Sequence, residues 1–139
     1  MNVRLVDIVA VKSEWQTAHA IKALEIEGRN PAIAAMAGWA RNNQQDYKRL
    51  MRAIKLVCGN EHLRNPKYLK KSDNPKHDDV YEIRSDKGLL RLFCFYSRGT
   101  KDVVICTHGW GKCSSRRQQD AEFEKCARFK RLYEEYSTS

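Results

Sequence analysis

No apolar run in this sequence approaches the ~18 residues that a membrane-spanning helix needs. The N-terminal run Val3–Val11 is short and broken by Arg4 and Asp7, so no secretory signal is expected there. These absences predict a soluble, cytoplasmic protein with no membrane partner. Close cysteine doublets are also missing. The five cysteines, Cys58, Cys94, Cys106, Cys113 and Cys126, cannot all pair, and none forms the doublet of a zinc site. Cys94 and Cys106 lie in apolar runs, where a thiol behaves as a small core residue. A reducing compartment without a structural disulfide is expected. There is no glycine-rich phosphate loop and no carboxylate pair at a useful spacing. His62 and His77 stand in polar stretches without ligand spacing and read as surface residues. No metal and no cofactor is expected. Repeats and low-complexity segments are absent.

What the chain has is positive charge. Its 139 residues carry a formal net charge of +9 and a pI near 9.5. Hydrophobic residues, at 42%, suffice for one core, so residues 1–139 read as a single domain. An excess of this size implies a polyanionic partner, nucleic acid before anionic membrane. The duller reading is a basic surface that only keeps the protein soluble.

Val3–Val11 is rich in β-branched residues and suits a first strand. Ser13 is placed to cap a helix. From Trp15 to Glu27, apolar residues recur at Trp15, Ala18, Ile21 and Leu24–Ile26, which predicts a helix. Gly28 and Asn30-Pro31 end it, and Pro31 opens the next. Ala32–Cys58 reads as one long helix, or as two with a break at Arg41–Gln45, stopping at Gly59-Asn60. Glu61–Asp79 is a polar connection holding the basic run Lys67–Lys71, with Leu69 as its anchor to the core. The tract SDNPKHDD after it is expected to be a mobile loop.

The stretch Tyr81–Lys112 organises the rest. Ser85–Gly88 predicts a hairpin turn, with Gly88 free to take positive φ. A four-residue loop would pair Arg84 with Leu89 and set Glu82 opposite Arg91. Glu82, Arg84 and Arg91 would then share one face, and Tyr81, Ile83, Leu90, Leu92 and Cys94 the helix-covered face. Ser97–Thr100 makes a second turn, and Val103–Thr107 a third strand. His108-Gly109-Trp110-Gly111-Lys112 is expected to leave the sheet through its glycines. A helix from about Ser115 to Tyr136 closes the chain, with Ala121, Phe123, Cys126, Ala127, Phe129, Leu132, Tyr133 and Tyr136 as its apolar contacts.

The order YEIR, then Leu90-Arg91-Leu92 inside a strand, then HGWGK, then a basic helix with Ala121 and Ala127, resembles the RelE/ParE toxin superfamily. Within it the phage-type HigB-like group is nearest, and the resemblance covers about Leu69 to Tyr133. It implies an α+β fold: a small twisted antiparallel sheet, two or three N-terminal helices on one face, and a C-terminal helix. It also implies a type II toxin that cuts mRNA, commonly on the ribosome, without metal. The implied partners are mRNA and a cognate antitoxin, often a helix-turn-helix protein. ParE-like members instead inhibit DNA gyrase. A non-toxic basic RNA-binding protein is a third reading.

Such cleavage uses the RNA's own 2′-hydroxyl as nucleophile. The protein must orient it, stabilise the phosphate and manage protons. Arg91 and Arg84 are the candidate phosphate ligands, because a guanidinium donates parallel hydrogen bonds and is permanently charged. The competing role for Arg91 is an ion pair with Glu82, and for Arg84 a solvated strand-end charge. His108 is the candidate general acid or base; otherwise it is a packed histidine. Lys112 would stabilise the leaving oxygen or hold a flanking phosphate. Arg116 and Arg117 open a helix, where cations are disfavoured, which favours a binding role. Lys67, Lys70 and Lys71 would line the RNA path. Trp110 is a stacking candidate, ahead of the more buried Tyr81. Tyr133 is expected in the core. The nuclease reading needs these groups on one side of the sheet with the imidazole open to RNA. An imidazole sealed beneath a helix would end it.

Overall fold

Apolar side chains line both faces of the long central strands, so the sheet is covered on both sides. The computed structural model describes residues 1–77, 79–85, 88–97, 103–111 and 115–136. Along the chain run β1 (Val3–Asp7), β2 (Ala20–Ile26), α1 (Pro31–Asn42), α2 (Gln44–Gly59), β3 (Leu69–Lys71), β4 (Tyr81–Arg84), β5 (Leu90–Tyr96), β6 (Val103–Gly111) and α3 (Arg116–Tyr136). The architecture is α+β. The six strands order as β1-β2-β6-β5-β4-β3. The expected all-antiparallel sheet is corrected, because β2 pairs with β6 in parallel. No helix among the described residues is long and apolar enough to cross a membrane.

The expected helix over Trp15–Glu27 is not formed. A single 3-10 turn spans Ser13–Trp15, without a side-chain cap, and Ala20–Ile26 is a strand. Ile21 and Ala23 enter the core beneath α1 and α2, whereas Leu24 enters the core beneath α3. A strand buried on both faces has no polar alternation, and its apolar residues mimic a helical period. Pairing with β1 on one side and β6 on the other decides the conformation.

The two-helix alternative holds for Ala32–Cys58. Asn30 accepts a hydrogen bond from the Ile33 amide and Pro31 opens α1. Asn43 separates the helices, and α2 stops at Gly59. Leu69 is buried as expected. His77 is not a surface residue: it is 6% exposed, 2.6 Å from Ser72 Oγ and 3.3 Å from Glu124 Oε2. The tract containing it is thus pinned to α3. His62 is exposed.

The β4–β5 register differs by two residues from the expected one: Arg84 pairs with Arg91, and Glu82 with Phe93. A two-residue slip preserves side-chain parity, so the predicted faces survive. Ile83, Leu90, Leu92 and Cys94 lie beneath α1 and α2. Gly88 does not take positive φ. Instead it gives room to the Ser85 hydroxyl.

The largest departure is in β6, which continues through the HGWG segment rather than leaving the sheet. Phe93 faces His108 while Cys94 faces Cys106, so Thr107 is the extra residue of a β-bulge. The bulge reverses side-chain parity. Gly109 and Gly111 turn toward α1, and His108 and Trp110 toward α3. A Cβ on Gly109 would lie 2.5 Å from Trp39 Cη2 and 2.8 Å from Ala35 Cβ. The glycines therefore permit close helix approach, not a turn.

α3 matches its expected span and covers Phe93, Phe95 and Ile105 with Phe123, Cys126 and Ala127. Tyr133 packs there too, as expected, but Ala121 is exposed. Cys58, Cys94, Cys106 and Cys126 are buried free thiols. Burial pushes Cys58 up to about 11 and Cys126 up to about 12. Cys113 lies outside the described residues.

Candidate functional site

The parity of β4 and β5 and the bulge in β6 bring Glu82, Arg84, Arg91, Phe93, His108 and Trp110 to the α3 side of the sheet. Lys70 on β3 is directly opposite Glu82 and belongs to the same face. Arg84, Arg91, His108, Trp110 and Lys70 thus lie on one face, His108 and Trp110 within β6 rather than in a segment leaving the sheet. Thr107, which creates the bulge, carries no sequence signal that marks it.

α3 roofs this face, and the roof changes what each group can do. Glu82 is fully buried at the centre. Its Oε1 lies 3.4 Å from Arg84 Nη1 and 3.6 Å from Arg91 Nε, and it accepts a 2.8 Å hydrogen bond from Gln119 of α3. Burial raises its pKa, opposed by Arg91, by the Gln119 bond and by Arg84. Arg91 is 9% exposed and donates from Nη1 to the Gly88 and Leu90 carbonyls at 2.8 and 3.1 Å. The first-choice phosphate ligand is therefore held by a buried carboxylate and backbone, the ion-pair role. Arg84 is less committed, with 29% of its side chain exposed.

His108 is sealed. It is 2% exposed, stacked on Phe93 at 4.8 Å between ring centres, and tilted against Phe129 of α3. Nδ1 contacts Thr107 Oγ1 at 2.8 Å. Nε2 is 3.2 Å from Glu122 Oε1 but lacks the alignment of a hydrogen bond. Burial, with a smaller contribution from Lys125, lowers its pKa to about 3. It is a neutral core imidazole here, and the expected solvent-facing acid or base is corrected. Trp110 is half-buried, packed against the core under α3 with its Nε1 buried, so only part of the side chain is open for stacking.

The solvent-facing cations lie around the edge. Lys67 is exposed ahead of β3, and Lys70 is half-buried. Lys71 pairs with Asp79 at 2.8 Å, which raises its pKa. Arg116 and Arg117 are exposed on the first turn of α3 and line a cleft of about 520 Å³ with Asp73, Asn74 and Asp120. The two acids make that cleft mixed in sign. Lys112 lies outside the described residues. No cluster of metal-ligating side chains is present among the described residues.

No family model and no curated protein matches the chain. The functional reading therefore rests on the residues themselves. Sequence reasoning missed how fully α3 would cover the arginine face. The apolar positions of α3 signal a buried stripe, but not which part of the sheet lies beneath it.

Proposed function

We propose that this chain is a toxin of the RelE/ParE kind, HigB-like, that acts on RNA as a metal-independent endoribonuclease. Arg84 and Arg91 would hold the scissile phosphate while the RNA's 2′-hydroxyl attacks it. The P–O5′ bond breaks, the proton lost by the 2′-hydroxyl is balanced by one gained at the leaving 5′-oxygen, and a 2′,3′-cyclic phosphate and a 5′-hydroxyl result. The observation that carries this reading is the convergence of Arg84, Arg91 and His108 on one face, from three adjacent strands. Lys70, Arg116 and Arg117 edge that face and suit the flanking phosphates. With α3 docked, His108 is sealed and Arg91 is held by Glu82 and backbone carbonyls, the arrangement that ends a nuclease reading with His108 as acid or base in place. The nuclease reading applies only to a form with α3 displaced. Uncovering the imidazole would require α3 to leave the sheet as far as Phe129, in its fourth turn. The mRNA, ribosome and antitoxin partners belong to the same proposal.

The sealed, neutral His108 favours a second reading: binding without cleavage, as a gyrase inhibitor or as a simple RNA-binding protein. Brief induction in cells followed by mapping of RNA 5′ ends separates the two. The ribonuclease reading expects growth arrest and new ends with the wild type, both lost with Arg84→Ala, a partly exposed position that should leave the fold intact. His108→Gln should lose the ends if the imidazole transfers a proton, and keep them if it only packs. Arrest with intact RNA selects gyrase inhibition, and no arrest selects the simple binder.

A further inference from the structure

Residues 28–72 hold ten of the chain's 26 Lys and Arg but only two of its 17 Asp and Glu, and so carry +8 of the net +9. This stretch contains α1, α2 and β3, and its helices lie on the side of the sheet opposite α3. On α2 the charge is ordered. Leu50, Ala53, Ile54, Val57 and Cys58 turn inward, and Lys48, Arg52 and Lys55 are exposed. Their spacing of four and three residues puts them on one ridge, about 10 Å long at ~1.5 Å per residue.

The sole acid of α2, Asp46, pairs with Arg49 at 3.3 Å. Lys48, Arg52 and Lys55 have no carboxylate partner among the described residues. Three cations elsewhere are paired: Arg4 with Glu25, Lys22 with Asp7 and Arg131 with Glu124. Like charges at these helical spacings repel one another, and a surface shaped only for solubility interleaves both signs. The ridge therefore suits a polyanion. Trp15 lies beside it, but Lys12 and Lys55 each stand 5.7 Å from the ring centre. The ring face is covered by ammonium groups, whereas single-strand binding uses open aromatic faces.

We propose that the Lys48–Arg52–Lys55 ridge docks the phosphate backbone of duplex RNA, on the side of the protein away from the arginine face. Docking of a duplex backbone does not depend on cleavage. The choice of RNA over DNA rests on the function proposed above.

The test is fluorescence anisotropy of the full chain with an RNA duplex and a DNA duplex of equal length, across roughly 50 to 200 mM salt. Lys48→Gln/Arg52→Gln/Lys55→Gln should lower the slope of log affinity against log salt by about 2–3, at about 0.9 per phosphate contact. A control, Arg4→Gln/Lys22→Gln/Arg131→Gln, removes the same charge from paired sites and should keep a slope within about 1 of wild type. Equal effects of the two variants, or a wild-type slope in the ridge variant, overturn the ridge. Tighter binding of the DNA duplex overturns the RNA assignment, as does binding of polyglutamate without either duplex. Ridge-dependent duplex binding by a protein that makes no new RNA ends would sink the ribonuclease reading and leave this one standing.

Discussion

Sealing of His108 beneath α3 makes a prediction about stability and pH. The folded pKa is about 3, against 6.5 for the free side chain. Between those values the unfolded chain binds a proton that the folded chain does not. Stability therefore falls as pH drops through that window. At 1.36 kcal/mol per unit, the loss between pH 7 and pH 5 is about 2 kcal/mol. That corresponds to about 1 M in the urea midpoint for a slope of about 2 kcal/mol per M. Glu82 acts in the opposite sense. Its raised pKa means the folded chain holds that proton more tightly, so acid favours the fold there. His108→Gln isolates the imidazole, because Glu82 is common to both proteins. Urea titrations at pH 7, 6 and 5 should show the wild type losing about 2 kcal/mol more than the variant. Parallel pH dependences would mean that the imidazole titrates freely, and the roofed site would be wrong.

Three further outcomes follow from the packing. Gly109→Ala should cost about 1–3 kcal/mol in urea unfolding through overpacking against Trp39; Trp39→Leu in the same chain should recover part of it, and additive costs would refute the contact. Glu82→Ala should destabilise by about 3–5 kcal/mol, because it leaves Arg91 buried without its carboxylate. Glu82→Leu/Arg91→Leu should cost less than that single change, and a loss below about 1 kcal/mol for Glu82→Ala would refute the buried pair. In a Cys113→Ser background the remaining thiols should resist a thiolate-specific reagent near pH 8 until the chain unfolds, since burial keeps them protonated. Rapid reaction of the native protein would contradict that.

Much of the arginine face was legible because it rests on parity. Glu82 and Arg84, two apart on β4, share a side whatever the register, and Arg91 of β5 joined them because the pairing was off by an even two residues. Local chemistry also placed Pro31 at a helix start, Gly59-Asn60 at a helix end, and Leu69 in the core. The segment Ala20–Ile26 misled because both its faces are buried, and its partners are remote in the chain. His77 misled because a polar tract can still send one side chain beneath a helix.

The sequence by itself determined the charge and its concentration in residues 28–72, the helices over residues 31–59 and 116–136, and which residues within each of β4 and β5 share a side. These depend on composition and on neighbours along the chain. Tertiary structure alone decided that β2 is a strand beside β6, that Thr107 bulges, and that α3 closes over His108. Each of those depends on contacts between segments far apart in sequence, where pairing energy and burial override local pattern. The same imidazole is therefore a candidate acid in the sequence and a neutral core residue in the fold.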